Sequence, residues 1–358
     1  KINALGKDTM QTQKLQLRKR KKLKYKKQEK NMNNQELPII RAPQTNAFSC
    51  IDLFCGSGGL SAGFEKAGMS VILAYDNWDV AIQTYNQNNK GHIAKNLDLI
   101  ELSNTKHEEL KNIKRIKPFI IAGGPPCQDF SSAGKRNGNG KRGNLTPLFA
   151  KIVAHIKPMW FVMENVNTIK SVGEQQLSKA KEILQDAGYG ITISVLCASQ
   201  FGIPQYRKRL FMIGRLNGKD NELLEHLNQQ KKQQKNVRQY FKEINIPLKL
   251  KHYYRHPRSY ARRGVFSVEE LSPTIRGVNR PIPPSWPGHN GDTTRNMKEV
   301  RQLTSEERAI IQTYPSSYNF LGNKAEVEQQ IGNSVPPQLA EAVARAIINF
   351  EKRTLIDY

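Results

Sequence analysis

The stretch IDLFCGSGG, residues 51–59, carries an apolar run of strand length into a glycine-rich turn that opens a helix. Glycines let the main chain approach a ligand closely at the carboxyl end of a sheet, beside a helix N-terminus. The run starts at Phe48 (FSCIDLF, 48–54), and LSAGFEKAG (60–68) is apolar at helical spacing and stopped by Gly68. SVILAYD (70–76) reads as a second strand and WDVAIQTYNQN (78–88) as a second helix. FIIAGG (119–124) and MWFVMEN (159–165) are further strands, with helices from Leu148 to Ile156 and on to about Asp186. GITISVLCA (190–198) and RLFMIG (209–214) close the series as late strands. Strands alternating with helices predict an α/β fold, a parallel sheet covered on both faces.

Asp76 ends the second strand about 20 residues beyond Gly56, the spacing at which a carboxylate accepts the ribose hydroxyls of an adenosine moiety. A helix N-cap is the other reading of Asp76. The turn reads GSGGLSAG and lacks the G-x-G-x-x-G register, which lowers a nicotinamide reading; a phosphate-binding G-x-x-x-x-G-K-[ST] loop is also absent.

IIAGGPPCQDFSSAGKR (120–136) runs a strand into two glycines, two prolines and Cys127. A cysteine just past a strand end, flanked by Pro126, Gln128 and Asp129, is expected at the functional edge of the sheet as a nucleophile. A buried structural thiol is the alternative. GKRNGNGKRGN (134–144) is glycine-rich and basic, a loop expected to be attracted to phosphate. VMENV (162–166) sets Glu164 at the end of another strand in apolar company, where burial would raise its pKa and let it share a proton with a substrate nitrogen. A helix-capping acid is the plainer reading. QYRKR (205–209) alternates Gln205, Arg207 and Arg209 on one face, two guanidiniums side by side, suited to phosphate or to orienting a ring. An exposed charged strand would look the same.

The 358 residues carry 56 Lys and Arg against 31 acids, a net charge of +25, which points to a polyanionic partner. Hydrophobic residues at 38% allow a sizeable core. No apolar run approaches the roughly 20 residues that span a bilayer, and no secretory leader is expected. Four cysteines without Cys-x-x-Cys or zinc spacing fit a reducing interior and no metal site. Residues 1–46 hold 13 basic residues and 3 acids, a net +10, densest at RKRKKLKYKK (18–27), and read as a basic, disordered or induced-helix arm. A solvated tail without a task, or a nuclear-targeting segment, has the same composition.

Taken together, DLFCGSGG (52–59), Asp76, GGPPCQDFS (123–131), ENV (164–166), QYRKR (205–209), RQLTSEERAIIQTYP (301–315) and QIGNSVPP (330–337) resemble the ordered motifs of the DNA cytosine-5 methyltransferases, in the bacterial restriction–modification style. Asp129 replaces the small residue more usual after Pro-Cys-Gln, and the basic arm lies outside the pattern. The resemblance implies a Rossmann-like S-adenosylmethionine-dependent methyltransferase sheet with a second, smaller target-recognition domain. It implies a catalytic domain at 47–215, a recognition insert at 216–299, a connecting segment at 300–328 and a return at 329–358. Cys127 would add to C6 of a flipped cytosine, Glu164 would bind N3 and the exocyclic amine, Arg209 would hold the ring, and Arg207 the loop or backbone. Phe54, Gly56, Gly58, Asp76, Asp98, Asn333, Ser334 and Val335 would line the cofactor pocket, with Asp98 meeting the adenine amino group.

HYYRHPRSYARR (252–263) has no acid, four arginines, three tyrosines and two histidines, and SPTIRGVNRP (272–281) holds a Thr-aliphatic pair with Arg276 and Arg280 nearby. Arginine forks read guanine, so Arg255, Arg258, Arg262, Arg263, Thr274 and Arg276 are candidate contacts to double-stranded DNA. For any single arginine, phosphate contact is the plainer role, and Tyr253 and Tyr254 also suit a small core. A monomer is expected, cytoplasmic and nucleoid-associated in a bacterium, with a cognate restriction endonuclease as functional partner. Two rivals stand: a tRNA cytosine methyltransferase, against which the insert of over 80 residues speaks, and a non-enzymatic DNA-binding scaffold. Deleting residues 1–46 is expected to weaken binding about equally on all DNA sequences and to flatten the dependence of log K on log salt, read by titration at several salt concentrations. A changed methylation site would instead show that the arm reads bases.

Overall fold

Strand β1, Ser49–Leu53, is buried at every position after the first because both its faces are covered. Cys50 points to one hydrophobic layer and its neighbours Ile51 and Leu53 to the other. The same alternation recurs at Ile120 against Ile121, and at Val162 against Phe161 and Met163. This period of two predicts strands, and apolar residues in both phases predict a sheet between two helical layers.

The computed structural model describes residues 48–356, except 90, 92, 93 and 127–144. The basic arm at 1–46, Cys127 and the basic loop at 134–144 lie outside the described residues. Residues 45–358 form one unit. In chain order the first half runs β1, α1 (Gly59–Lys66), β2 (Ser70–Asp76), α2 (Asp79–Asn88), β3 (Ala94–Asn96), α3 (Leu99–Leu102), α4 (Glu108–Ile116), β4 (Ile120–Gly123), α5 (Leu145–Ile156) and β5 (Trp160–Val166). Then come α6 (Ile169–Val172), α7 (Glu174–Asp186), β6 (Tyr189–Cys197), β7 (Gln205–Tyr206) and β8 (Lys208–Leu216). The seven-stranded sheet has the order β3-β2-β1-β4-β5-β8-β6. The chain reverses its direction of travel across the sheet between β1 and β4, which opens a crevice at their carboxyl ends.

One expectation is corrected here. The sheet is mixed rather than parallel, because β8 runs antiparallel to both β5 and β6. Only residues 198–207 separate β6 from β8, too few for the helical crossover a parallel pair needs. The reversal matters for chemistry: it brings the start of β8 to the edge where β5 ends.

Helix α1 stops where Gly68 adopts φ 98°, with Gly68 N–H donating to Glu65 O and Met69 N–H to Phe64 O. One face of α1 is stripped to glycine. A Cβ on Gly59 would lie 2.0 Å from Ser334 Oγ, and one on Gly63 would lie 2.2 Å from Pro337 O. These two glycines admit the last helix, α12 (Pro337–Ile356), whose Leu339, Ala340 and Val343 join the layer on that side.

A second core gathers Val237, Phe241, Tyr253, Phe266, Ile275, Leu303, Ile311 and Ile331. It belongs to α9 (Val237–Glu243), a three-stranded sheet in which β9 (His252–Tyr254) lies between β10 (Val265–Ser267) and β11 (Arg301–Gln302), and the helices α10 (Ser305–Ile311) and α11 (Lys324–Asn333). The segment at 300–328 therefore packs with the insert. The short α8 (Leu224–Gln229) sends Leu227 into the main core instead.

Gly63→Ala should destabilise the chain by roughly 1–3 kcal/mol, since the added methyl forces α1 away from α12. Urea unfolding monitored by circular dichroism measures it, and an unchanged midpoint would contradict the packing.

Candidate active site

Beyond β1 the chain takes three left-handed steps, at Phe54 (φ 62°), Gly56 (51°) and Gly58 (88°). A Cβ on Gly56 would meet no atom within 4 Å, so main chain faces open space at the sheet edge. Asp76 holds the turn from the neighbouring strand. Its Oδ2 accepts from Gly56 N–H at 2.8 Å, and its Oδ1 accepts from the N–H groups of Asn77 and Trp78 at 2.8 and 3.0 Å. These bonds hold the turn and the approach to α2, whose N-cap is Trp78, so Asp76 is not the helix N-cap. Three of its roughly four acceptor positions are taken, so accepting two hydroxyls requires one main-chain donor to be exchanged. Burial pushes the Asp76 pKa up, and the three N–H donors oppose that shift.

Ser334 and Val335 come to the same turn, against Gly59. Tyr314 Oη lies 2.5 Å from Ser334 Oγ and 3.2 Å from Ser57 Oγ, and Tyr318 Oη donates to Ser57 O. Behind the turn, Asp52 is buried, accepts from Ser61 Oγ at 2.6 Å, and has its pKa pushed up to about 7 by desolvation. Two of the expected pocket residues stand apart from these contacts. Asp98 caps α3 through Ile100 N–H at 2.9 Å, and the exposed Asn333 accepts from Gln329 at 2.7 Å.

Glu164, at the end of β5, is 8% exposed. Arg209 Nε sits 2.9 Å from its Oε1, on the diagonal the antiparallel β5–β8 pairing creates, where Val166 faces Arg209. The contact is an ion pair off hydrogen-bond alignment, which leaves Oε1 without a directed donor among the described residues. Burial raises the Glu164 pKa, and Arg209 and then Arg207 pull it back. Gly124 lies over this carboxyl; a Cβ there would be 3.2 Å from Oε2. Asn165 is the companion that sequence reading left without a role. Its Nδ2 donates to Pro125 O at 3.2 Å, so the strand carrying Glu164 also grips the segment leading into Cys127.

Arg207 is placed differently from its neighbour. It is fully buried, and its N–H groups donate to three main-chain carbonyls: Ile275 O at 2.9 Å, Gly332 O at 3.0 Å and Ser334 O at 2.8 Å. It holds main chain of segments distant in sequence, where the resemblance had it hold loop or backbone. Gln205 runs beside it, accepting from Ile275 N–H at 2.8 Å and donating to Gln312 Oε1 at 2.7 Å. Gln312 in turn donates to Ile331 O at 2.6 Å. A glutamine inside the apolar run AIIQTY was the only sequence signal for this partner.

The six candidate DNA contacts divide by what they already hold. Arg263 pairs with Glu270 and lies 4.1 Å over the Phe266 ring. Arg255 donates to Thr274 O at 3.0 Å, Arg276 to His256 O, and Thr274 Oγ1 to Tyr206 O at 2.9 Å. These four are engaged in building the small body. Arg258 and Arg262 are exposed on the turn between β9 and β10. The Arg255 pKa is lowered to about 10, first by burial and then by repulsion from Arg276, Arg258 and Arg262. Tyr253 and Tyr254 are core.

Comparison with known proteins agrees with this geometry. Residues 48–349 match the family described as C-5 cytosine-specific DNA methylase. The Type II methyltransferase M.HindV of Haemophilus influenzae is 48% identical over 308 residues, 86% of this chain and 98% of that protein. The Type II methyltransferase M.HgiDI of Herpetosiphon aurantiacus is 47% identical over 298 residues, 83% of this chain and 93% of that protein. Among solved structures, the S. pombe Dnmt2 methyltransferase superposes with a TM-score of 0.60 at 17% identity, covering 86% of this chain and 99% of its own, a likeness of fold.

Arg207→Met should cost on the order of 3 kcal/mol, because it leaves buried carbonyl acceptors without donors. Denaturant unfolding reads the loss. A variant as stable as the parent would show that the three carbonyls find other partners.

Proposed function

The chain belongs to the C-5 cytosine-specific DNA methylases, and we propose that it transfers a methyl group from S-adenosylmethionine to C5 of a cytosine flipped out of a short double-stranded site, protecting DNA in a restriction–modification system. The observation that carries the reading is the buried Glu164–Arg209 pair beneath Gly124, at the carboxyl edge of the sheet and three residues before Cys127.

Cytosine C5 is a poor nucleophile. In this reading the Cys127 thiolate adds to C6 and pushes electron density onto C5. Glu164, whose pKa burial raises, shares a proton with N3 and accepts from the exocyclic amine, which offsets charge as the adduct forms. Arg209 fixes the carboxyl and faces the ring. Asn165 fixes Pro125, and through it the approach of Cys127. S-adenosylmethionine, when bound, supplies the electrophilic methyl group and departs as the thioether. A base, acting through water, removes the C5 proton; C5 regains its double bond and Cys127 leaves as thiolate.

The open face of Gly56, the half-buried Phe54 and the carboxylate of Asp76 fit an adenosine moiety. Gly58, Ser334 and Val335 shape the wall behind it, and Asn333 and Asp98 are proposed to complete the lining. The body whose core runs from Val237 to Ile331 takes the role of target recognition. No helix among the described residues is long and apolar enough to cross a membrane. The enzyme is proposed to act as a monomer in the cytoplasm, on nucleoid DNA, beside an endonuclease of the same specificity.

Cys127→Ser should abolish methyl transfer while leaving S-adenosylhomocysteine affinity unchanged by calorimetry. With 5-fluorocytosine in the target, the parent should form an adduct that survives denaturation and maps to Cys127. Retained transfer in the serine variant, or a crosslink elsewhere, refutes the mechanism.

A further inference from the structure

The strand pair β9–β10 is flanked by a loop, SWPGHNGDTTRN (285–296), that none of the family motifs covers. It is built to hold one shape. Asp292 Oδ1 accepts from Gly264 and Val265 N–H at 2.8 and 2.9 Å, and its Oδ2 accepts from His289 N–H at 2.8 Å. His289 Nδ1 accepts from Gly291 N–H at 2.9 Å, and Thr293 Oγ1 sits 3.0 Å from His252 Nδ1. Trp286 packs edge-on against Tyr254 and Tyr260, with ring centroids 5.5 and 5.2 Å away. The loop is thereby fixed to the turn that exposes Arg258 and Arg262.

Two exposed side chains ride on this frame. Arg295 lies directly on Gly288, which has φ 73°; a Cβ there would be 2.9 Å from Arg295 Nη1. Arg295 Nη2 donates to Asn290 Oδ1 at 3.2 Å. That bond engages the amide oxygen of Asn290 and leaves its Nδ2 without a bond among the described residues. The pair therefore offers further N–H donors from both side chains. Asp292 is the sole acid between residues 271 and 298, and its carboxylate is taken up by main-chain N–H groups.

We propose that Arg295 and Asn290 form a second base-reading element, addressing the N7 and O6 acceptors of a guanine in the major groove alongside the Arg258–Arg262 turn. A pair with several free donors suits guanine, with two acceptors, better than adenine, whose N6 amine would face it. The inference rests on the reading of the chain as a DNA methyltransferase, and deepens it by naming what the loop recognises. Asp292 is a positioning residue.

The test is bisulfite sequencing of a DNA library with randomised sites, methylated by the full chain and by its Arg295→Ala, Arg295→Lys and Asn290→Ala variants. Thermal melts confirm that each variant is folded. Arg295→Ala is expected to relax one guanine position by about tenfold to a hundredfold, with the other positions kept. Asn290→Ala is expected to relax the same position less, and Arg295→Lys, which keeps charge and loses the fork, to relax it too. An unchanged site in all three variants overturns the proposal. So does a uniform loss at every site, which marks phosphate contact only. Failure of the parent chain to methylate any DNA would instead refute the function on which the proposal rests.

Discussion

One buried guanidinium ties together three parts that the sequence keeps far apart. Arg207 donates to carbonyls of residues 275, 332 and 334, which belong to the insert and to the turn between the last two helices. Buried charge is costly unless its hydrogen bonds are met, and here three carbonyls meet them. The arrangement works only if all three segments are present together, so the start of β8, the segment at residue 275 and the wall of the glycine turn are fixed as one object. Glycine makes the approach possible. A Cβ on Gly332 would lie 2.1 Å from Gly277 N, so two backbones touch where any larger residue would separate them.

The second constraint is strand direction. Had β8 run parallel to β5, its first residues would lie at the amino edge of the sheet, far from Glu164. The short return from β6 forces the reversal, and the reversal delivers Arg209 to the carboxyl whose burial it partly compensates. The ion pair leaves Glu164 neither a free carboxylate nor a plain buried acid. That balance is what a group needs if it is to share a proton with a ring nitrogen and keep its place.

Much of this was legible in residues alone. The strands at 70–76 and 160–166 showed themselves as apolar runs ending in an acid, and Gly68 marked the end of α1. What sequence hid was direction and partnership. Period two shows that 209–214 is a strand but not which way it lies against its neighbour. Arg207 and Arg209 are two residues apart on one face, yet one meets carbonyls and the other a carboxylate, a difference set by segments that lie 68 to 127 residues beyond Arg207. The small body was least legible because its strands are two or three residues long and its order comes from side-chain bonds such as those of Asp292. Cys127 lies outside the described residues, and Gly124 and Pro125 precede it in the chain.

The arginines of the small body show why net charge alone misleads. The sequence offers a cluster and invites every member to be read as a DNA contact. A guanidinium that already fills its forks with a carbonyl, a carboxylate or an aromatic face has less left to give, and Arg263, Arg255 and Arg276 are in that position. Their mutual repulsion still has a use. Burial first, and that repulsion second, depress the Arg255 and Arg308 pKa values to about 10, and the repulsion leaves a field that few acids neutralise. A polyanion relieves that repulsion, so the engaged arginines favour binding of any DNA. Discrimination between sequences then falls to the arginines whose forks are free and whose loops are stiff, because a reader must be rigid to reject the wrong base.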